Sequence, residues 1–137
     1  MSRRIRSHDL PVFLTDDEVM LIHRDVIEKH GGSFGVRNPD QLDSAVHSVQ
    51  ATFGSEFVYP SLFDMAAAYL FNLATSHPFV DGNKRTAWMT ALVFLRRNNI
   101  RFKPRKDDAV ELMVGVATGS IRSLGEVASW FEEQIGS

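Results

Sequence analysis

The chain contains no cysteine. Disulfides, thiolate metal sites and thiol nucleophiles are therefore excluded. No apolar run approaches the roughly 18 residues of a membrane span. The basic N-terminus (Arg3, Arg4, Arg6) is not followed by an apolar stretch of signal-peptide length. A cytoplasmic protein with no membrane partner is expected. A strong charge of either sign is missing too. The formal net charge of −2 gives no overall pull toward nucleic acid, which is not an expected partner. A second basic cluster, Arg96, Arg97, Arg101, Lys103, Arg105 and Lys106, reads as a solvated helix end or as a docking patch for an acidic partner. Repeats, low-complexity tracts and linkers are absent. The 137 residues predict a single domain over 1–137, long enough to bury about two-thirds of the surface the unfolded chain exposes. There is no Walker A loop, because Asn83 separates Gly82 from Lys84 and no glycine holds the upstream position. Nor is there a serine triad: Thr75, Ser76 and Thr86 lack a separately placed base and orienting acid.

What is present is helical. Thr15 and Glu18 have capping-box spacing, and Val19, Ile22, Val26 and Ile27 follow at near-helical intervals until Gly31-Gly32 stops them. Asn38-Pro39 repeats the start signal for a helix with Leu42, Ala45, Val46 and Val49 inward. Residues 51–60 change character and predict an extended segment or short hairpin. Ser61 opens a helix to about Ser76, apolar over most of its circumference and so expected at the centre of the bundle. His77-Pro78 ends it, since the residue before proline avoids the helical region. A helix over about 82–98 places Trp88, Ala91, Leu92 and Leu95 on one face. Ile100-Arg101-Phe102 suits only a brief strand or turn. One more helix, about 107–118, is expected to turn Val110, Met113, Val114 and Ala117 inward. A last one opens at a Ser123/Glu126 capping box and carries Val127, Trp130, Phe131 and Ile135. The predicted fold is all-α: a compact bundle of about six helices with a short β-hairpin flap.

The chemistry concentrates in His77-Pro-Phe-Val-Asp-Gly-Asn-Lys-Arg-Thr86, a loop leading into a helix. Helix starts expose unpaired N–H groups and a partial positive charge, and acidic residues normally occupy them. Lys84 and Arg85 break that rule, as residues at functional sites do. The pattern implies an anion pocket of N–H groups, a lysine point charge and an arginine fork around phosphate oxygens. His77 is the candidate general base, an imidazole able to take a proton at neutral pH. Asp81 reads as the N-cap of the helix or as a Mg²⁺ ligand, roles that can coexist. Gly82 serves an ordinary turn or a close approach to ligand. Asn83 either donates to phosphate or shapes the loop. Phe79 plugs the loop into the core, and Trp88 packs. His8, His23, His30 and His47 have no comparable context and read as surface or core-edge residues. Phe57, Val58 and Tyr59, in the hairpin, are either a cover for the core or an edge on which a target protein docks.

The same residues carry a resemblance. His77-Pro-Phe-Val-Asp81-Gly82-Asn83-Lys84-Arg85 resembles the signature loop of the Fic/Doc family, whose general form has a second Gly at the position of Lys84 and a second Arg at that of Trp88. Both departures are those of its Doc (death-on-curing) branch. The similarity extends more loosely over residues 13–100, through Phe13-Leu-Thr-Asp-Asp-Glu18 and Gly35-Val-Arg37-Asn38. It implies ATP as co-substrate, Mg²⁺ at Asp81 and phosphate contacts from Gly82, Asn83, Lys84 and Arg85. It also implies His77-assisted transfer of the γ-phosphoryl group to a Ser or Thr of the translation machinery, with an elongation factor as the target. AMP transfer, as in Fic enzymes with Gly at the Lys84 position, and a non-enzymatic binding module are the alternatives. The resemblance further implies a toxin silenced by a cognate antitoxin whose C-terminal segment folds on binding. Ser129-Trp-Phe-Glu-Glu133-Gln134 comes close to the self-inhibitory helix of Fic relatives but ends in Gln.

Overall fold

The computed structural model describes residues 10–135, so Arg3, Arg4, Arg6 and His8 lie outside the described residues. Six helices carry the fold: α1 (Asp16–His30), α2 (Pro39–His47), α3 (Leu62–Ser76), α4 (Asn83–Arg97), α5 (Lys106–Thr118) and α6 (Leu124–Ile135). A 3-10 turn (Ser48–Gln50) follows α2 and leads into the antiparallel hairpin of β1 (Thr52–Phe53) and β2 (Glu56–Phe57), in which Thr52 faces Phe57 and Phe53 faces Glu56. Among the described residues, no helix is long and apolar enough to cross a membrane.

The helix starts follow from local chemistry. Thr15 and Glu18 form a complete capping box, with Glu18 N–H on Thr15 Oγ1 at 3.2 Å and Thr15 N–H on Glu18 Oε1 at 3.1 Å. Asn38 Oδ1 accepts from Gln41 N–H (3.1 Å), with Pro39 in the first helical position. Ser61 Oγ accepts from Asp64 N–H (3.1 Å). Each such cap contributes on the order of 1 kcal/mol.

α3 is the axle. Phe63, Met65 to Leu70, Leu73 and Ala74 are all buried, so it is enclosed on nearly every side, as its all-round apolarity requires. α4 runs back along α3 in the most extensive helix–helix contact, and α6 and α2 cover other faces of α3. Each buried Phe or Leu adds about 1.5–3 kcal/mol. Trp88 packs as expected, in an aromatic cluster with Phe102, Trp130 and Phe131. At the far end of α4 a strap of chain before α1 crosses the bundle. Val12 exchanges hydrogen bonds with the Asn98 amide, Leu14 N–H donates to the buried Tyr69 hydroxyl at 3.0 Å, and Phe13 stacks on Phe94. Arg97 of α4 pairs with Glu18 of α1.

One expectation needs correcting. On α5 the buried side is Leu112, Gly115 and Val116; Val110, Val114 and Ala117 face solvent and Met113 is half-buried. The cause is Gly115, against which Ile121 packs so closely that a Cβ there would lie 2.6 Å from Ile121 Cδ1. A glycine reads as a gap in an apolar pattern, yet here it marks the contact face. His47 is at the surface, as expected, and its Nε2 lies 3.4 Å from Asp16 and 3.3 Å from Asp43, joining α2 to the start of α1.

Candidate functional site

The six-residue link between α3 and α4 is held by backbone and by side chains spent on backbone. His77 ends α3 in the left-handed region (φ 51°, ψ 57°) with its side chain exposed. Pro78 to Val80 then pair with the segment after α1: Val36 bridges Phe79, Arg37 N–H donates to Pro78 O at 2.8 Å, and Val80 N–H donates to Gly35 O at 3.0 Å. The Arg37 guanidinium donates to His77 O (2.8 Å), fixing the peptide that carries the imidazole. Phe79 is buried, as expected of a plug.

Asn83 closes the loop on itself. Its Oδ1 accepts from Phe79 N–H (2.9 Å) and its Nδ2 donates to Phe79 O (3.0 Å). Of the two roles open to Asn83, the side chain performs the shaping one. Its backbone N–H, with those of Lys84 and Arg85, precedes the first helical bond of α4, Thr86 N–H to Gly82 O, and so has no intrahelical acceptor.

Asp81 is not the N-cap. Gly82 occupies that position in the left-handed region (φ 74°) and offers no side-chain cap. The positive φ favours glycine at this position, and a Cβ there would also stand 3.0 Å from Ile27 Cδ1, a tight contact. The Asp81 carboxylate turns outward instead: Oδ1 accepts from Gly82 N–H (3.0 Å) and Oδ2 from Ser33 N–H (3.2 Å). Each oxygen keeps further acceptor capacity. One exposed carboxylate beside unpaired N–H groups and two cations fits Mg²⁺, which takes one or two carboxylates and fills its shell with phosphate oxygens and water.

His23 is the residue that sequence reasoning missed. It is buried on α1, its ring stacks flat on Phe79 (centroids 3.9 Å apart, 5° between planes), and Nε2 lies 2.8 Å from Asp81 O. A carbonyl oxygen only accepts, so Nε2 carries the hydrogen. The available signal was positional, since His23 sits four residues after Val19 and four before Ile27, on the apolar stripe of α1. Gly32 likewise lies against the loop: a Cβ would stand 2.7 Å from Asp81 Oδ2.

The product is one cleft of about 400 Å³. His77, Asp81, Gly82, Asn83, Lys84 and Arg85 line one side of it, and Val26, His30 and Gly31 at the end of α1, with Val80, complete it. Lys84 and Arg85 are exposed, on the first turn of α4. The arrangement can bind a polyanion on N–H groups and cations beside an accessible imidazole. The structure brings every expected site residue of the loop together. It does not bring the hairpin there. Phe57 packs edge-on against Phe13 (5.8 Å), which stacks on Phe94, about 16 Å along α4 from Asn83 at 1.5 Å per residue. Val58 is exposed and Tyr59 half-buried at that distant end.

The chain is similar in sequence to known proteins. A family profile described as the Fic/DOC family matches residues 13–95. A protein of Escherichia phage P1 named "Protein kinase doc" is 36% identical over 124 residues, covering 90% of this chain and 96% of that protein. A protein of Mycolicibacterium smegmatis named "Toxin Doc" is 47% identical over 90 residues, covering 64% of this chain and 69% of that one.

Proposed function

The chain belongs to the Fic/DOC family, and on that premise we propose that it is a Doc-like toxin that phosphorylates a protein. The γ-phosphoryl group of ATP or another nucleoside triphosphate passes to a Ser or Thr hydroxyl of the translation machinery, an elongation factor being the expected target. The observation that carries this reading is the convergence of His77, Asp81, Lys84 and Arg85 on one cleft at the start of α4.

The chemistry follows from the placement. The triphosphate lies along the unpaired N–H groups of Asn83, Lys84 and Arg85, with both cations on its oxygens. The acceptor hydroxyl enters beside His77. Its oxygen forms a bond to the γ-phosphorus while the bond from that phosphorus to the β,γ-bridging oxygen breaks, and the nucleoside diphosphate leaves. His77 takes the hydroxyl proton. Asp81 would hold Mg²⁺, which when bound neutralises charge on the phosphate oxygens. Lys84, where other family members have glycine, fills space a second phosphate would use and adds charge suited to a terminal one. A folded target spanning the ~22 Å length of α3 would also reach the exposed Val58 of the hairpin, its docking edge with Phe57 and Tyr59. The reading implies a cytoplasmic protein and an antitoxin whose C-terminal segment folds as a helix on binding.

Whole-cell extract supplied in parallel with α-labelled and γ-labelled ATP tests the proposal, with His77→Ala as control and no antitoxin present. A protein band labelled from γ alone, and lost in the variant, is the expected result. Label from α alone would replace phosphorylation by nucleotidyl transfer. No label from either would leave a binding module.

A further inference from the structure

The cleft has two walls of opposite character, and the phosphate reading uses only one. Lys84, Arg85 and the N–H groups of α4 make the first. The second is the last turn of α1, where Val26 and His30 are four residues apart and so share a face. Val80, half exposed, adds to the apolar rim. The second wall is held in register with the first. After His30 the chain turns through Gly31 and Gly32, both with positive φ. Gly32 then lies against the Asp81 carboxylate, and the next residue, Ser33, donates its N–H to Asp81 Oδ2. A ligand that fills both walls meets cations and N–H groups at one end and an imidazole with two valine side chains at the other. The cleft volume of about 400 Å³ is within the range of small-molecule sites.

We infer that the exposed imidazole of His30 is the stacking platform for the nucleobase, backed by Val26 and faced by Val80. This rests on the nucleotide reading above and adds the half of the ligand that reading leaves unassigned. Stacking on an aromatic face tolerates any base, so His30 sets affinity for the nucleoside rather than a hydrogen-bonded code. Purine nucleotides, with the larger ring face, bind more tightly than pyrimidine nucleotides.

Calorimetric titration of the full chain with imido-bridged ATP and, separately, with inorganic tripolyphosphate, both with Mg²⁺, tests the assignment. His30→Ala is expected to weaken the ATP analogue at least 10-fold, within the range stacking supplies, and to leave tripolyphosphate unchanged. His30→Phe is expected to retain most of the wild-type affinity for the analogue. Equal loss of both ligands in His30→Ala would make His30 a phosphate contact and overturn the proposal. So would no loss of either. Binding of neither ligand to the wild-type protein would defeat the nucleotide reading itself, a failure distinct from the other two. The variant folds if its thermal midpoint matches wild type, as the exposure of His30 predicts.

Discussion

The α3–α4 hairpin has two ends, and they use polar side chains in opposite ways. At the strapped end, Tyr69, Asn98 and Glu18 each finish a contact between segments: hydroxyl to Leu14 N–H, amide to Val12, carboxylate to Arg97. At the loop end, Asn83, His23 and Arg37 are all spent on the backbone of residues 77–81, and the catalytic candidates His77, Asp81, Lys84 and Arg85 are left exposed. One end uses polarity to close the fold. The other uses it to hold a shape whose working groups stay exposed to the cleft. Such separation is what preorganisation requires: rigid support beneath, free groups above.

The sharpest way to break this contrast is at His77. His77→Ala should lower phosphoryl transfer by about 10²–10⁴-fold, the usual share of a general base, while moving the thermal midpoint by no more than a few degrees, since the imidazole is exposed. A large fall in stability would place His77 with the closing residues instead.

Asn83→Ala should damage both properties. Phe79 N–H and C=O lose their partners, which costs about 1–3 kcal/mol, and nucleotide affinity should drop by about tenfold as the first turn of α4 loses its registration. Asn83→Asp keeps the acceptor for Phe79 N–H and should fall between alanine and wild type. Calorimetry and thermal denaturation on the same samples separate the two effects.

At the strapped end Tyr69→Phe should cost about 1–3 kcal/mol for the orphaned Leu14 N–H and leave nucleotide binding unchanged. Burial pushes the Tyr69 hydroxyl up to about 12 from an ordinary 10.0. The folded state therefore holds this proton more tightly than the unfolded state. The resulting stability is complete below pH 10 and is lost as pH rises toward 12. Denaturant titrations across that window should show a steep alkaline decline in wild type and a shallower one in Tyr69→Phe. Glu18 has the reverse sense. Partial burial works against its ionisation, but the Thr15 N–H and the Arg97 charge outweigh that and hold it below its ordinary 4.5. Its contribution is present above pH 4.5 and is lost on acidification.

The smallest expected change is Phe53→Ser at the hairpin. The side chain is 88% exposed, so stability should stay within about 0.5 kcal/mol and nucleotide binding should not move. A raised KM for the protein acceptor alone would mark the hairpin as its docking edge.

Much of this was legible in the chain. Caps, apolar periodicity and the proline after His77 predicted six helices, and α3 at the centre followed from its composition. The loop residues announced themselves because cations in a helix's first turn violate the local electrostatic rule. Other features were hidden for physical reasons. His23 and Arg37 act on backbone atoms far away in sequence, through contacts no local pattern encodes. Gly115 contributes a surface by lacking a side chain, so a scan for apolar residues chose the wrong face of α5. The Asp81 cap failed because Gly82, left-handed, took the cap position and turned the carboxylate outward. The hairpin was recognised, but its distance from the loop depends on how Phe13 bridges it to Phe94.

The most direct test of the contrast is a backbone and imidazole NMR titration with imido-bridged ATP and Mg²⁺. Shifts concentrated in His77 and residues 81–85, with those at the end of α1, and absent from Leu14, Phe53, Tyr69 and Asn98, are the predicted result. Saturable shifts centred on the strapped end, with His77 and Lys84 unmoved, would contradict it.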